Sequence, residues 1–126
     1  MIQKLGQVML YVENQDEVAK FWKEKMGFTI IADVDGGNGM RWIEMAPSQE
    51  AETGFVLHNK KLIAEMQPEL NLEAPSLLFY TENLDQLHKD LSEKEVQVGE
   101  IMTMPTGRVF NFPDIEGNYF AVLEKK

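Results

Sequence analysis

The side chains best suited to chemistry in this sequence are a carboxylate next to an indole and an imidazole near the end of an apolar segment. Glu44 follows Trp42 in RWIEMAP (41–47), and His58 lies in GFVLHN (54–59). Glu44 is either a strand carboxylate that faces water or a pocket carboxylate that accepts a proton or pairs with a cationic ligand. His58 has no carboxylate placed in sequence to orient it, which is more typical of a rim residue than of a general base. Glu44 and His58 are therefore the two candidates for catalysis.

Two arginines occupy matching places in the chain, because Arg41 and Arg108 each follow a glycine-containing turn. Each either pairs with carboxylates at the rim of the fold or holds an anionic ligand, and the pattern favours ion pairs. The turn GGNG (36–39) lacks the lysine and the following helix of a phosphate-binding loop. This segment therefore predicts a hairpin.

Composition excludes several classes of protein. The 126 residues suit one domain, and the net charge of −9 argues against binding to nucleic acid or to an anionic membrane surface. No stretch has the roughly 18 apolar residues of a membrane span, and the first residues do not resemble a signal peptide. The absence of cysteine removes thiolate catalysis, disulfides and sulfur-ligated zinc. We expect a cytoplasmic protein.

The chain contains an internal repeat. SLLFYTEN (76–83) echoes QVMLYVEN (7–14) at an offset of 69 positions, and residues 11–25 and 80–94 share seven identical positions. Two copies are too few for a solenoid, which needs at least about three stacked units. The repeat therefore predicts two copies of one supersecondary unit.

Both copies predict the order β-α-β-β-β. In the first strand, alternation places Gln7, Met9 and Tyr11 on one face, and Asn14 with Glu17 resembles the start of a helix that ends at Gly27. The predicted strands of the first copy are 5–12, 28–34, 41–47 and 54–59, and those of the second are 76–83, 96–103, 108–112 and 118–125. Asn83 and Gln86 start the second helix. The expected fold class is α+β, with module 1 at about 1–59, a connector at about 60–75 and module 2 at about 76–126.

This duplicated unit resembles the vicinal oxygen chelate superfamily, which includes glyoxalase I, bleomycin resistance proteins and extradiol dioxygenases. The opening QVMLYVENQDEVAKFWKEKMGF (7–28) is similar to the family's first strand and helix, and the closing FNFPDIEGNYFAVLEK (110–125) is similar to its DPDGN turn and last strand. The resemblance implies two curved mixed sheets, each with one helix on its convex face, that enclose a concave cavity. It also implies a homodimer.

Metal-dependent members of that family take four ligands from the first and last strands of the two modules. By resemblance these positions are Gln7, Ser76, Ala121 and either Phe55 or Val56, of which only Gln7 keeps a common ligand type. A catalytic metal needs about three protein ligands besides its water or substrate. We therefore expect neither a metal nor another cofactor.

The leading hypothesis is a metal-independent protein that binds a small organic molecule and sequesters a cationic or aromatic compound. The expected ligand-binding residues are Gln7, Met9, Trp42, Glu44, Ser76, Asn111 and Ala121. The alternative is a metal-dependent lyase or isomerase of the glyoxalase I type. A third possibility is a structural or regulatory dimer without a ligand. None of these hypotheses involves nucleic acid or a membrane as a partner.

Overall fold

A computed structural model describes residues 1–125 of the chain, which form two compact units. The first unit comprises residues 1–74, and the second begins at residue 75. Each unit carries a four-stranded mixed sheet, and three helices are present within residues 1–125. The expected α+β class with two β-α-β-β-β modules is therefore confirmed.

The first unit is built on the strand order β1-β4-β3-β2. Strands β1 and β4 are parallel, whereas β4 with β3 and β3 with β2 are antiparallel. The elements are β1 (Gln7–Val12), α1 (Gln15–Glu24), β2 (Thr29–Gly37), β3 (Met40–Ala46), β4 (Gly54–Asn59) and α2 (Lys60–Met66).

Helix α1 begins and ends where its sequence signals place it. The Asn14 side chain accepts a hydrogen bond from the backbone N–H of Glu17 at 3.0 Å, which satisfies one of the unpaired donors of the first turn. Gly27, with φ +76°, adopts the left-handed conformation that favours glycine just beyond the helix. The Gln15 amide donates to the carbonyls of Arg41 and Leu57 at 2.7 and 3.0 Å. These bonds anchor the start of α1 to β3 and β4.

The core of the first unit lies between α1 and one face of the sheet. The Trp22 indole is fully buried, and its ring centroid lies 4.9 Å from those of Phe28 and Phe55. Phe55 and Leu57 of β4 therefore point towards α1. Because side chains alternate along a strand, Val56 and His58 point away from it. We call the face that points away from α1 the distal face of unit 1.

The second unit repeats this plan with the strand order β5-β8-β7-β6. Asn83 caps α3 by accepting from the N–H of Gln86 at 3.0 Å. The His88 ring of α3 packs edge-on against Phe110 of β7, with centroids 5.0 Å apart, so Phe110 faces the helix. We call the opposite face the distal face of unit 2. The elements are β5 (Leu78–Thr81), α3 (Leu84–Glu93), β6 (Met102–Met104), β7 (Gly107–Pro113) and β8 (Tyr119–Glu124).

Two segments differ from the secondary structure expected from sequence. The first part of the connector forms helix α2, whose N-cap Asn59 accepts from the N–H of Leu62 at 3.1 Å. The strand expected over 96–103 is wrong for its first six residues, because only Met102–Met104 forms β6. In that segment the N–H of Val98 bonds back to the carbonyl of Val96, and Gly99 makes a backbone bond to Asn111 of β7. One contact to β7 is too few to make a strand.

Candidate functional site

An aromatic row crosses the distal face of unit 1. The strand register pairs Tyr11 of β1 with His58 of β4, His58 with Trp42 of β3, and Trp42 with Val34 of β2. Paired residues share a face, and neighbouring strands lie about 4.8 Å apart. The three rings of Tyr11, His58 and Trp42 therefore span about 10 Å of the sheet, which is about the length of a fused three-ring aromatic compound.

His58 lies at the centre of this row and is held on two sides. Its ring stacks on that of Tyr11 with centroids 5.5 Å apart and an interplanar angle of 24°, and its Nε2 lies 3.0 Å from the Met9 sulfur. Burial lowers the pKa of His58 below the ordinary 6.5, because desolvation disfavours the imidazolium. The row is therefore uncharged at neutral pH.

Glu44 lies in the next row of the same face. It is partly buried and pairs with Val56 on β4, which in turn pairs with Met9 on β1. Glu44 is two residues along β3 from Trp42, a separation of about 7 Å along the strand. Of the strand residues that the register places on this face, Glu44 is the one that carries a carboxylate. It supplies negative charge next to an uncharged aromatic surface.

Alternation along β1 predicts that Gln7, Met9 and Tyr11 share a face, whereas the faces of Trp42, Glu44 and His58 follow from the strand register. Gln7, Met9, Trp42, Glu44 and His58 lie on the distal face of unit 1, with Gln7 exposed at the start of β1. Alternation places Tyr11 on the same face as Met9, but Tyr11 is not among the ligand contacts expected from sequence. Tyr11 becomes a candidate ligand contact because it pairs with His58, which lies on a strand distant in sequence.

The remaining candidates lie in unit 2. Asn111 of β7 pairs with Ala121 of β8, which pairs with Leu78 of β5, so these three residues share the distal face of that unit. Ser76 is exposed and lies two residues before β5 begins. Exposed apolar side chains are also present in the strands of this face: Leu78, Tyr80, Met102, Met104 and Tyr119.

The two matched arginines make ion pairs on the helix side of each sheet. Arg41 contacts Asp16 at 2.9 Å and Asp33 at 2.8 Å. Arg108 contacts Asp85 at 2.8 Å and Glu124 at 2.9 Å. The carboxylates raise the pKa of both arginines, and the hydrogen bond from Arg41 lowers the pKa of Asp33. Both guanidinium groups are thus bound to carboxylates.

The donors at the positions implied for a metal do not fit a divalent cation. Val56 points to the distal face, whereas Phe55 packs against Trp22, so the uncertain position on β4 presents a hydrocarbon. Ala121 presents another hydrocarbon, which leaves the amide of Gln7 and the hydroxyl of Ser76. Within residues 1–125 no three His, Asp or Glu side chains converge. A divalent ion requires about three N, O or S ligands from protein.

Comparison with known proteins assigns the chain to a family. A model of the glyoxalase/bleomycin resistance protein/dioxygenase superfamily matches residues 4–122. The chain belongs to this superfamily. Membership of the glyoxalase/bleomycin resistance superfamily confirms the resemblance seen in the opening and closing segments. No helix within the part of the chain that the structure describes has the length and apolar character needed to cross a membrane.

The similarity to individual known proteins extends over nearly the whole chain. The uncharacterized protein YetH of Bacillus subtilis (strain 168) is 35% identical over 98% of this chain and 100% of its own length. TnmS3, an antibiotic binding protein from Streptomyces sp. CB03234, is 28% identical with a TM-score of 0.83, covering 99% of this chain and 98% of that chain. A glyoxalase/bleomycin resistance protein from the same Streptomyces strain is 28% identical with a TM-score of 0.75, covering 94% and 97%.

Proposed function

We propose that this chain binds a small organic molecule without a metal, and that its preferred ligand is a flat aromatic cation. The observation that carries the proposal is the row of Tyr11, His58 and Trp42 on the distal face of unit 1. Aromatic rings bind a flat ligand by offset stacking, and the indole face attracts a cation. The similarity to TnmS3, which is named an antibiotic binding protein, supports the binding of a small organic molecule.

The preference for positive charge rests on Glu44. A carboxylate about 7 Å from a bound cation gives an attraction of about 2 kcal/mol at an effective dielectric constant of 20, and salt reduces it. The uncharged state of His58 at neutral pH leaves that attraction unopposed in the aromatic row. The net charge of −9 adds a favourable long-range field for a cation.

The proposed contacts are given for each unit by itself. In unit 1 they are Gln7, Met9, Trp42 and Glu44, with Tyr11 and His58 added from the register. In unit 2 they are Ser76, Asn111 and Ala121.

Three probes separate the contribution of the aromatic ring from that of the charge. N-methylacridinium is a flat three-ring cation, acridine is its neutral counterpart at pH 7.5, and tetramethylammonium carries charge without a ring. Calorimetry should rank their affinities in that order. Glu44→Gln should weaken N-methylacridinium about three- to tenfold and leave acridine unchanged. Glu93→Gln, an exposed carboxylate of α3, serves as the control and should change neither affinity.

Metal analysis of protein purified without chelators tests whether binding is independent of a metal. We expect less than stoichiometric metal, and the same affinity for N-methylacridinium before and after treatment with a chelator. Stoichiometric nickel, zinc or iron that is required for binding would instead favour a lyase or isomerase of the glyoxalase I type. Failure of all three probes to bind would contradict the proposed ligand class.

We also propose that the protein acts in the cytoplasm as a homodimer. The cysteine-free sequence needs no oxidising compartment, and fractionation of cells that express the protein should find it in the cytoplasmic fraction. The exposed apolar side chains on the distal face of unit 2 support a dimer, since such patches commonly mark interaction sites. Light scattering should give about twice the chain mass of 14.5 kDa, and Leu78→Glu should lower it. A monomer at high concentration would contradict the dimer.

A further inference from the structure

The hairpin between β2 and β3 contains a glycine whose side-chain space is occupied by the Trp42 indole. A Cβ atom built on Gly36 would lie 2.5 Å from Cζ3 and 3.0 Å from Cη2 of Trp42. Non-bonded carbon atoms prefer separations of about 3.5–4.0 Å, so both positions cannot be filled. The register between β2 and β3 is irregular between Asp35 and Gly37, which places Gly36 at the irregularity.

Gly36 is needed for a different reason from the other glycines of this turn. Gly37 and Gly39 both have φ +81°, and a Cβ on either would meet nothing within 4 Å. Those two glycines serve the backbone conformation, which side chains of L-residues rarely adopt. Gly36 does not have a positive φ. Its role is to leave room for the indole.

We propose that Gly36 is a positioning residue for the ligand face of unit 1, because it allows the Trp42 indole to lie against the hairpin backbone. This role rests on the proposed function only in so far as Trp42 contacts the ligand. The packing of the indole on Gly36 is independent of any ligand. A side chain at position 36 would displace the outer ring of the indole and disturb the aromatic row of Tyr11, His58 and Trp42.

The spectroscopic test uses the two tryptophans as separate reporters. Trp22 is fully buried, whereas Trp42 is partly exposed. Gly36→Ala should change the emission of Trp42 and its quenching by acrylamide, whereas Gly39→Ala in the same hairpin should not. Both variants should lower the melting temperature, the first by crowding and the second by backbone strain. Stability alone therefore does not distinguish them, and the emission does.

The rescue test removes the atoms with which a side chain at position 36 would collide. Trp42→Phe lacks Cζ3 and Cη2, so Gly36→Ala should lower the melting temperature less in this background than in the natural chain. An equal loss in both backgrounds would overturn the positioning role. An unshifted Trp42 emission in Gly36→Ala would also overturn it.

Binding of N-methylacridinium connects this role to the ligand. Gly36→Ala should weaken binding about two- to tenfold, which is the range expected for disturbing one aromatic contact. Gly39→Ala should bind with unchanged affinity. If the Trp42 emission shifts while the affinity of Gly36→Ala stays unchanged, Trp42 is not a ligand contact. That result would overturn the assignment of the ligand face and with it the positioning role, although the packing of Trp42 on Gly36 would stand.

Discussion

His58 is the residue whose ionisation changes the character of the distal face of unit 1. Its ring stacks on Tyr11, its Nε2 lies against the Met9 sulfur, and burial lowers its pKa. These contacts favour the neutral imidazole. Protonation would place a positive charge in the aromatic row and would oppose a cationic ligand. The neutral ring therefore offers a stacking surface that does not repel a cationic ligand.

The first prediction concerns the pH dependence that follows from His58. Since its folded pKa lies below the ordinary 6.5, the unfolded chain binds the proton more readily. Above about pH 6.5 His58 is neutral in both states and does not lower the free energy of unfolding. As the pH drops from about 6.5 towards the folded pKa, the unfolded chain takes up the proton first and the free energy of unfolding falls. NMR titration should give a midpoint for His58 below 6.5, and the same titration in denaturant should give the ordinary value.

A neutral substitution provides the control for this prediction. His58→Gln cannot take up a proton, so its melting temperature should vary less between about pH 5 and pH 7 than that of the natural chain. A His58 midpoint at or above 6.5 would show that the ring is not desolvated as described.

The residues of this face differ in how far the sequence could predict them. Alternation within one strand predicts that Gln7, Met9 and Tyr11 share a face. The stack of Tyr11 on His58 depends on the parallel pairing of β1 with β4, which joins segments about 47 residues apart. The contact between Trp42 and Gly36 also depends on strand pairing, although both residues belong to one hairpin. GGNG predicts a hairpin, but the contact of the indole with that glycine appears only once β2 and β3 are in register.

At the scale of elements, each unit anchors its helix to its sheet with a repeated ion pair. Asp16 and Asp85 are the second residues of α1 and α3, and they pair with Arg41 and Arg108. The second carboxylate that pairs with the arginine comes from a different strand in each unit. Asp33 comes from the edge strand β2 in unit 1, whereas Glu124 comes from the inner strand β8 in unit 2.

The second prediction compares these two arginines. The Asp16 and Asp33 side chains are 75% and 43% exposed, whereas that of Glu124 is only 12% exposed. Arg41→Met should cost less than about 1 kcal/mol, because water already solvates its partners. Arg108→Met should lower the melting temperature more, because the cation next to a largely buried carboxylate is removed. Thermal unfolding of the two variants under the same conditions provides the comparison. A greater loss in Arg41→Met would contradict this ranking.

The third prediction concerns the helix caps, which the repeat places at Asn14 and Asn83. Each side chain accepts from the N–H three residues on at 3.0 Å. Asn14→Ala and Asn83→Ala should each cost about 1 kcal/mol, since an N-cap acceptor is lost. Chemical denaturation measures the loss. Replacement of either asparagine by aspartate keeps the acceptor and should stay near the stability of the natural chain. An alanine variant as stable as its aspartate counterpart would contradict the capping role.

Secondary structure was predictable where local signals agree and not where tertiary contacts decide. Both caps, both long helices and seven of the eight strands follow from spacing that can be read within a few residues. Helix α2 was missed because its seven residues carry too short a periodic pattern, and the prolines at 68 and 75 indicated a connector. The alternation VQV at 96–98 indicated a strand, but the N–H of Val98 bonds within its own segment.

At the scale of the whole molecule, duplication has kept the plan of each unit while the two distal faces have diverged. The distal face of unit 1 carries an aromatic row and a carboxylate, whereas that of unit 2 carries exposed leucine, methionine and tyrosine side chains. The positions implied for metal ligands hold hydrocarbons at Val56 and Ala121. The fold thus retains the family's scaffold, while the functional proposal depends on the aromatic row.

The most direct test of that proposal is a fluorescence titration of chelator-treated protein with N-methylacridinium. We predict saturable quenching of the Trp42 emission, the buried Trp22 emission persisting, and loss of the saturable component in Trp42→Phe. Quenching that never saturates, or that appears only after a divalent metal is added, would contradict metal-independent binding at this face.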